Sequence, residues 1–335
     1  MRALLALGLA LVALAGCGDT KVVRETAVVV TGEAPRARPL VTPDGAIRIA
    51  VVTHGQASSP FWAIVRNGVE SAARQMDVLV DYKAPEVYDI EQIRAMIDEA
   101  IASRPDGLVV SIPEPGLAGS IRRATRAGIP VVSINSGSDV ALSLGVLAHV
   151  GQPEGRSGLL AGRKLAAAGV RRALCVNQQV GNQGLDARCR GLARAMLAAG
   201  GQSQVLGVDD QSGSTVGRIA TALQEGRMDG VLAANATTGI QTADAVELAR
   251  KTGQLTVGTF DLGPEVLNAV RERRIAFAID QQPYLQGYWP IAMLAQHARF
   301  GLLPEQGEVI ATGPNFVDTP EEAERALELS KRSIR

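Results

Sequence analysis

The stretch Ile47–Thr53 (IRIAVVT), followed by Pro60–Met76 (PFWAIVRNGVESAARQM), contains the pattern that decides the fold. The first segment is a short apolar run rich in Val and Ile, which is typical of a strand buried on both faces of a sheet. The second has the apolar spacing of an amphipathic helix. The alternation recurs along the chain, with further predicted strands DVLVDYK (77–83), GLVVSI (107–112), PVVSIN (130–135), RALCVN (172–177), QVLGV (204–208), GVLAA (230–234), LTVGTF (255–260) and IAFAID (275–280).

Polar residues are concentrated where these predicted strands end. Strands that alternate with helices form parallel sheets covered on both faces, and ligands bind beyond the carboxyl ends of such strands. In Ile279–Tyr288 (IDQQPYLQGY), hydrogen-bonding side chains follow an apolar strand and precede a proline. Solvent or a ligand must satisfy them, because polar groups buried without partners cost free energy. The other such segments are THGQASSPFW (53–62), IPEPG (112–116), NSGSD (135–139), NQQVGNQGLDAR (177–188), ANATTG (234–239) and FDLG (260–263).

The first residues have the layout of a secretory signal. One positive charge precedes a nearly unbroken apolar run that is too short to span a membrane and ends at Leu14-Ala15-Gly16-Cys17. This end resembles the bacterial lipobox, whose cysteine becomes the lipidated first residue; the alternative is an ordinary signal peptide with a chance cysteine. We predict a lipoprotein signal peptide at 1–16, lipidation of Cys17, a flexible linker at 17–45 and export to the periplasm, with membrane contact only through the lipid.

The composition of the whole chain limits the classes of partner that the protein is expected to bind. Hydrophobic residues make up 46% and charged residues 20%, which suits a compact soluble protein. Lys+Arg and Asp+Glu both number 34 and no basic stripe is present, which argues against nucleic acid as a partner. Residues 46–335 are long enough for one large or two medium domains.

The search for catalytic motifs is mostly negative. The sequence contains no P-loop, dinucleotide-binding glycine motif, nucleophile-elbow serine or HEXXH zinc motif. The only histidines are His54, His149 and His297, which excludes a histidine-rich metal site. His54 follows the first predicted strand and is a candidate site residue, but nothing positions a serine as a nucleophile beside it and Asp261. We predict no enzyme activity, no cofactor and no metal.

Five segments together resemble the ribose-binding-protein-like family. These are type I periplasmic sugar-binding proteins of ABC importers, related to the ligand-binding core of lactose-repressor-type regulators. The resemblance spans about residues 46–318, and the order and spacing of the segments make it specific. The segments are RIAVVTHGQASSPFWAIVRNGVESAA (48–73), DGLVVSIPEPGLAGSIRRATRAGIPVVSIN (106–135), GLDARCRGL (184–192), GVLAANATTGIQTADAV (230–246) and TVGTFDLGPEVLNAVRERRIAFAIDQQPYLQGY (256–288).

The resemblance implies a fold and a function. It implies an α/β protein of two doubly wound parallel-sheet lobes joined by a three-crossing hinge, with 46–149 plus 282–312 in the N-terminal lobe and 150–281 plus 313–335 in the C-terminal lobe. It implies a monomer that captures a monosaccharide or cyclic polyol between the lobes and delivers it to a membrane permease with its ATPase. The alternatives are a receptor that presents a ligand to a sensor kinase or chemoreceptor, a binder of a non-sugar molecule, and an enzyme.

The resemblance also carries a stacking surface over to this chain. Ser59-Pro60-Phe61-Trp62 resembles a family segment, Asn-Pro-Phe-Phe, whose polar residue binds sugar hydroxyls and whose aromatic rings flank the sugar. Ser59 thus replaces a longer amide, while Phe61 and Trp62 keep apolar faces that suit the C–H groups of a sugar. The alternative is that Phe61 and Trp62 are ordinary core residues of a first helical turn.

The remaining site residues carried over are polar. Asn135 stands where many relatives have an Asp-Arg pair, so this chain lacks that carboxylate and guanidinium. Arg188 begins an Arg-x-x-Gly match and is the expected ligand arginine. Asn235, Asp261 and Gln281 match the other polar contacts of the family.

Two cysteines remain once Cys17 is assigned to lipid. Cys175 ends a predicted strand and Cys189 lies in the helix after it, and an exported protein meets an oxidising compartment. We predict a disulfide that fixes the intervening loop beside the site; two free buried cysteines are the alternative.

Overall fold

The computed structural model describes residues 45–55, 59–209, 212–225, 227–303, 309–332 and 334. The predicted signal peptide (1–16), the lipidation site Cys17 and the linker up to residue 44 lie outside the described residues. Within the described part of the chain, no helix has both the length and the apolar character needed to cross a membrane.

Among the residues that the structure describes, twelve strands form two six-stranded sheets. The first sheet has the order β11-β5-β4-β3-β1-β2 and the second the order β12-β10-β9-β8-β6-β7. The strands of the first sheet are β1 (Arg48–Val52), β2 (Leu79–Lys83), β3 (Gly107–Ser111), β4 (Val131–Ile134), β5 (Ala148–Gly151) and β11 (Val309–Ala311). Those of the second are β6 (Arg172–Asn177), β7 (Gln202–Gly207), β8 (Gly230–Ala233), β9 (Thr256–Phe260), β10 (Phe277–Asp280) and β12 (Asn315–Val317).

Helices follow most of the strands. They are α1 (Pro60–Met76), α2 (Ile90–Ala102), α3 (Ala118–Arg126), α4 (Ser138–Ala141), α5 (Glu154–Ala167), α6 (Gln183–Ala198), α7 (Thr215–Glu225), α8 (Ala236–Leu248), α9 (Pro264–Arg271), α10 (Pro283–Phe300) and α11 (Pro320–Ser330). Short 3₁₀ turns occupy Pro115–Leu117 and Leu142–Leu144.

Both sheets are covered on both faces, as the near-continuous apolar strands predict. Each sheet separates two clusters of buried apolar side chains, one against each face. Neighbouring strands run parallel throughout the two sheets, except that β12 pairs antiparallel with β10. The predicted fold class, two doubly wound lobes, is therefore confirmed.

The chain passes between the two sheets three times. The passages are residues 152–153 after β5, 281–282 after β10 and 312–314 between β11 and β12. One lobe bound differs from the prediction, since residues 150 and 151 pair in the first sheet as the end of β5. The strand continues there because the backbone N–H groups of Asn135 and Thr312 donate to the carbonyls of Val150 and Gly151.

Candidate functional site

A cavity of about 240 Å³ lies at the carboxyl ends of strands from both sheets. Asn135 directly follows β4, Asp261 directly follows β9 and Gln281 directly follows β10, so the strand ends deliver these side chains to one place. All nine residues predicted to bind ligand line this cavity: His54, Ser59, Phe61, Trp62, Asn135, Arg188, Asn235, Asp261 and Gln281. The ligand contact of each stays a prediction.

Aromatic rings form one wall of the cavity. Phe61 and Trp62 lie edge to face with ring centroids 5.3 Å apart, and the Trp62 ring stands in the same way against His54 at 4.9 Å. Trp62 is 8% exposed and belongs to the apolar cluster under α1. Gly55 leaves room for the indole, because a Cβ there would lie 1.6 Å from Trp62 Nε1. Trp62 is therefore a core residue and also part of the cavity wall, so the stacking-surface and core-residue interpretations of this segment are compatible.

His54 is held as a neutral imidazole. Its backbone N–H donates to Ser111 Oγ at 2.8 Å, and its Nδ1 lies 2.8 Å from the same oxygen. Burial lowers the pKa of His54 to about 3. We assign the ring proton to Nε2, because the Ser111 hydroxyl can then accept the first bond and donate the second.

Ser59 precedes α1 as its N-cap, but its side chain makes no capping hydrogen bond. Pro60 occupies the first helical turn, where a missing N–H costs nothing. Ser59 lines the cavity, and its side chain does not cap the helix. This arrangement agrees with a ligand-facing hydroxyl at the position.

Arg188 forms an ion pair with a carboxylate of its own chain. Its Nε and Nη2 donate to the two carboxylate oxygens of Glu154 at 2.6 and 2.7 Å, and its Nη1 donates to the Ala234 carbonyl at 2.6 Å. The guanidinium also lies 4.2 Å from the centre of the Phe260 ring. Burial alone would lower the pKa of Arg188, but the charge and hydrogen bonds of Glu154 raise it above its ordinary value.

Two glycines allow this pairing. Arg188 lies on α6 and Glu154 begins α5, and these two helices pack closely against each other. A Cβ at Gly158 would lie 2.0 Å from the carbonyl oxygen of Arg188, and one at Gly191 would lie 2.3 Å from that of Gly155. Only glycine lets the two backbones approach so closely, which brings the carboxylate of one helix to the guanidinium of the other.

Asp261 is a buried carboxylate that faces the cavity. Its backbone has φ +68°, a left-handed conformation that Asp adopts more readily than most residues. Its Oδ1 accepts a hydrogen bond from Gln281 Nε2. Burial raises its pKa to about 6, although Arg188 and the bond from Gln281 act to lower it.

Buried amides connect the site to two of the three passages between the sheets. Asn135 Nδ2 donates to Gln281 Oε1 at 3.3 Å and to Gln286 Oε1 at 3.1 Å. Gln286 Nε2 donates to Gln281 Oε1 at 3.0 Å, to the Gln281 carbonyl at 3.0 Å and to Thr312 Oγ1 at 3.2 Å. Gln281 and Thr312 belong to different passages, so one fully buried side chain, Gln286, ties both to the cavity wall.

Helix N-termini supply further polar groups. Asn235 caps α8, where its Oδ1 accepts from the Thr238 backbone N–H at 2.8 Å. Asn182 caps α6 and accepts from the Gly184 N–H at 3.0 Å. Ser136 Oγ donates to Asn182 Oδ1 at 3.3 Å, which joins a residue after β4 to the start of α6.

The predicted disulfide between Cys175 and Cys189 is confirmed. It joins the buried end of β6 to α6 with the two Cα atoms 5.7 Å apart. Arg188 is the neighbour of Cys189, so the covalent bond fixes the helical turn that carries the guanidinium.

Sequence reasoning missed several residues of the site. Glu154 begins α5, more than 15 residues from any predicted site residue, and no local pattern marks it, whereas Gln286 lies five residues after Gln281 in the polar segment 279–288. The cavity-lining residues Gln178, Gln179 and Asn182 do lie in a segment, NQQVGNQGLDAR, whose polarity was noted. The remaining described residues that line the cavity are Gly55, Pro60, Ser136, Leu185 and Thr237.

Known proteins share this sequence and fold. The family described as periplasmic binding protein domain matches residues 49–302. A carbohydrate transporter of Acidothermus cellulolyticus, solved in complex with myo-inositol, is 32% identical, covers 87% of this chain and 100% of its own, and superposes with a TM-score of 0.80. A solute-binding protein of Actinobacillus succinogenes with bound D-allose is 21% identical over 83% of this chain and 99% of its own, with a TM-score of 0.72, and supports the fold alone.

A curated relative has a lower identity. The xylose/arabinose-binding protein of Sulfolobus acidocaldarius is 26% identical over 266 residues, which are 72% of this chain and 64% of the relative. The chain thus spans less than two thirds of the length of that relative. The names of these relatives describe binding and transport of solutes, and the match of the family over most of the chain implies an exported, periplasmic location. The chain belongs to the family of periplasmic binding proteins.

Proposed function

We propose that this protein is the substrate-binding component of an ABC importer and captures a monosaccharide or cyclic polyol between its two lobes. The observation that carries the proposal is the polar cavity at the carboxyl ends of both sheets, which is lined by aromatic rings together with amide, guanidinium and carboxylate groups. Hydroxyl groups both donate and accept, so a polyol needs partners of both kinds together with an apolar face for its C–H groups. The myo-inositol bound by the related protein of Acidothermus cellulolyticus has this chemistry.

The polar contacts divide between donors and acceptors. Arg188 has five N–H groups, of which three are engaged with Glu154 and Ala234, and the other two are assigned to ligand hydroxyls. Asp261 accepts, and Gln281 can donate with the amide hydrogen that Asp261 does not hold. The proposed role is capture and release without chemical conversion of the ligand.

A screen of neutral ligands tests this function. Purified protein without the first 45 residues is titrated with pentoses, hexoses and inositols, and thermal unfolding identifies binders. A ligand held at 100 times its dissociation constant should raise stability by about 2.7 kcal/mol. Calorimetry then gives one site per chain for a true ligand. No stabilisation by any neutral polyol would refute the proposal.

The proposed delivery partners are a permease and its ATPase, with the protein held at the membrane by lipid on Cys17. The lipobox-like end of the apolar run supports the tether. The full-length protein should partition into the detergent phase, and a Cys17→Ser variant should stay in the aqueous phase. Equal partitioning of the two proteins would refute lipidation.

A further inference from the structure

We propose that Glu154 determines the charge of the ligand that the cavity accepts, by holding Arg188 neutralised so that uncharged polyols bind and sugar acids are rejected. This inference rests on the proposed function and names a selectivity residue for it. Glu154 is not among the residues that line the cavity, and it acts through Arg188.

The pairing of the two charges is complete and rigid. The side chains of Arg188 and Glu154 are each 4% exposed, and both carboxylate oxygens accept from the guanidinium. Gln152 Nε2 donates a third hydrogen bond to Glu154 Oε2 at 2.9 Å. Because the local environment excludes water, a charge that lost this partner would be strongly attracted to any other anion within reach.

The charges around the cavity favour a neutral ligand. Among the described residues that line it, Arg188 is the one with a permanent positive charge, and Asp261 is the one carboxylate. His54 stays neutral, held by Ser111 in a buried position. The positive charge of Arg188 is already compensated by Glu154. A ligand carboxylate would therefore approach the negative charge of Asp261 with no unpaired cation nearby to offset the repulsion. Like charges brought together across a binding surface are strongly unfavourable.

The pair is poorly explained by stability alone. Replacing a buried ion pair by apolar residues of similar volume is often neutral or stabilising, so a pair that is kept in a ligand-binding wall fits a role in selection. Arg188 retains two N–H groups for hydroxyl oxygens, which need no net charge from the site. Glu154 thus leaves these two N–H donors of Arg188 available, while its negative charge cancels the attraction of Arg188 for anions.

The experiment compares two ligands that differ in one group, D-glucose and D-glucuronate, together with myo-inositol as a second neutral probe. Dissociation constants are measured by calorimetry at pH 7.5 for the wild type and for Glu154→Gln, which keeps the side-chain shape and removes the charge. The ratio of the D-glucuronate constant to the D-glucose constant should fall by about 10- to 150-fold in the variant, the range for gaining one hydrogen bond to a charged group. The double variant Glu154→Met/Arg188→Met removes both charges and should not gain D-glucuronate binding.

Two outcomes overturn the inference: a wild type that binds D-glucuronate as tightly as D-glucose, or a Glu154→Gln variant with an unchanged ratio. If the variant does not fold alone, it is refolded with sodium D-glucuronate or with D-glucose at equal concentration. Selective rescue by the anion supports the inference, and equal or absent rescue contradicts it. If no neutral compound binds the wild type, the proposed function fails. The effect of Glu154 on ligand charge is still tested in that case: binding of D-glucuronate to Glu154→Gln and not to the wild type supports it, and absence of that difference contradicts it.

Discussion

At the scale of a single residue, the buried carboxylate of Asp261 lowers the stability of the folded protein. Burial raises its pKa from the ordinary 3.8 to about 6. The folded protein therefore binds a proton more readily than the unfolded chain between about pH 4 and pH 6, and the contribution of Asp261 to stability falls as the pH rises through that window. Above pH 6 the full cost is present, and this difference in pKa corresponds to about 3 kcal/mol.

Asp261→Asn should therefore separate stability from binding. Asn also accepts the left-handed backbone, and it cannot ionise, so the unliganded variant should be more stable than the wild type at pH 7.5 by up to about 3 kcal/mol, with a smaller gain at pH 5. Loss of the charged acceptor should weaken binding of a neutral polyol by about 10- to 150-fold. Urea denaturation at both pH values and calorimetry measure the two effects. A variant that is less stable at pH 7.5 and binds normally would contradict this account.

Gly55 should control the position of the Trp62 ring. A methyl group at Gly55 would lie 1.6 Å from the indole nitrogen, so Gly55→Ala must displace the ring from the cavity wall. We expect a shifted tryptophan emission spectrum and ligand binding weaker by about tenfold, which is the loss of one favourable aromatic contact. Gly213→Ala is the control, because a Cβ there meets no atom within 4 Å. Unchanged emission in Gly55→Ala would show that the ring does not pack as described.

At the scale of the elements, strands and helices with a long periodic pattern were predictable. The strand predicted at 77–83 begins two residues later, at Leu79, and α10 begins at Pro283, because the first turn of a helix tolerates a proline. Polar residues at strand ends identified the cavity, since parallel strands bring their carboxyl ends together. The strands β5, β11 and β12 were not predicted, because each has only three or four residues and carries no periodicity of its own. The contacts of Glu154 and Gln286 join distant helices and passages, and tertiary packing alone decides them.

The disulfide between β6 and α6 should be a large single contribution to the stability of the second lobe. It closes a loop across a sequence separation of 14 residues. Loss of a bridge over a loop of that length costs about 3 kcal/mol when the constraint on the unfolded chain is counted. Cys175→Ala/Cys189→Ala should therefore unfold at lower urea concentration than the wild type, measured without reductant. Equal stability of the two proteins, or free thiols at both positions in the wild type, would contradict this role.

At the scale of the whole molecule, the two lobes already touch at the mouth of the cavity. The Gln183 backbone N–H donates to the Pro113 carbonyl at 2.8 Å, and Ser136 donates to Asn182 nearby. Lobes joined by a few extended passages commonly close around a ligand by hinging. We therefore expect these contacts between the lobes to form when the lobes close, and Gln286 connects two of the passages to the cavity.

Scattering should detect this closure and its dependence on Gln286. The radius of gyration of the wild type should decrease when a ligand found in the screen is added, because the ligand bridges groups on both lobes. Gln286→Leu removes the hydrogen bonds to Thr312 and Gln281, so it should raise the dissociation constant by about 2- to 12-fold and reduce the change in radius. Gln296→Leu is the control on the same helix: among the described residues the Gln296 amide donates to the sulfur of Met76, away from the passages, and the variant should behave as the wild type. An unchanged scattering profile of the wild type at saturation would exclude closure, and normal binding with full compaction in Gln286→Leu would show that the passages close without this side chain.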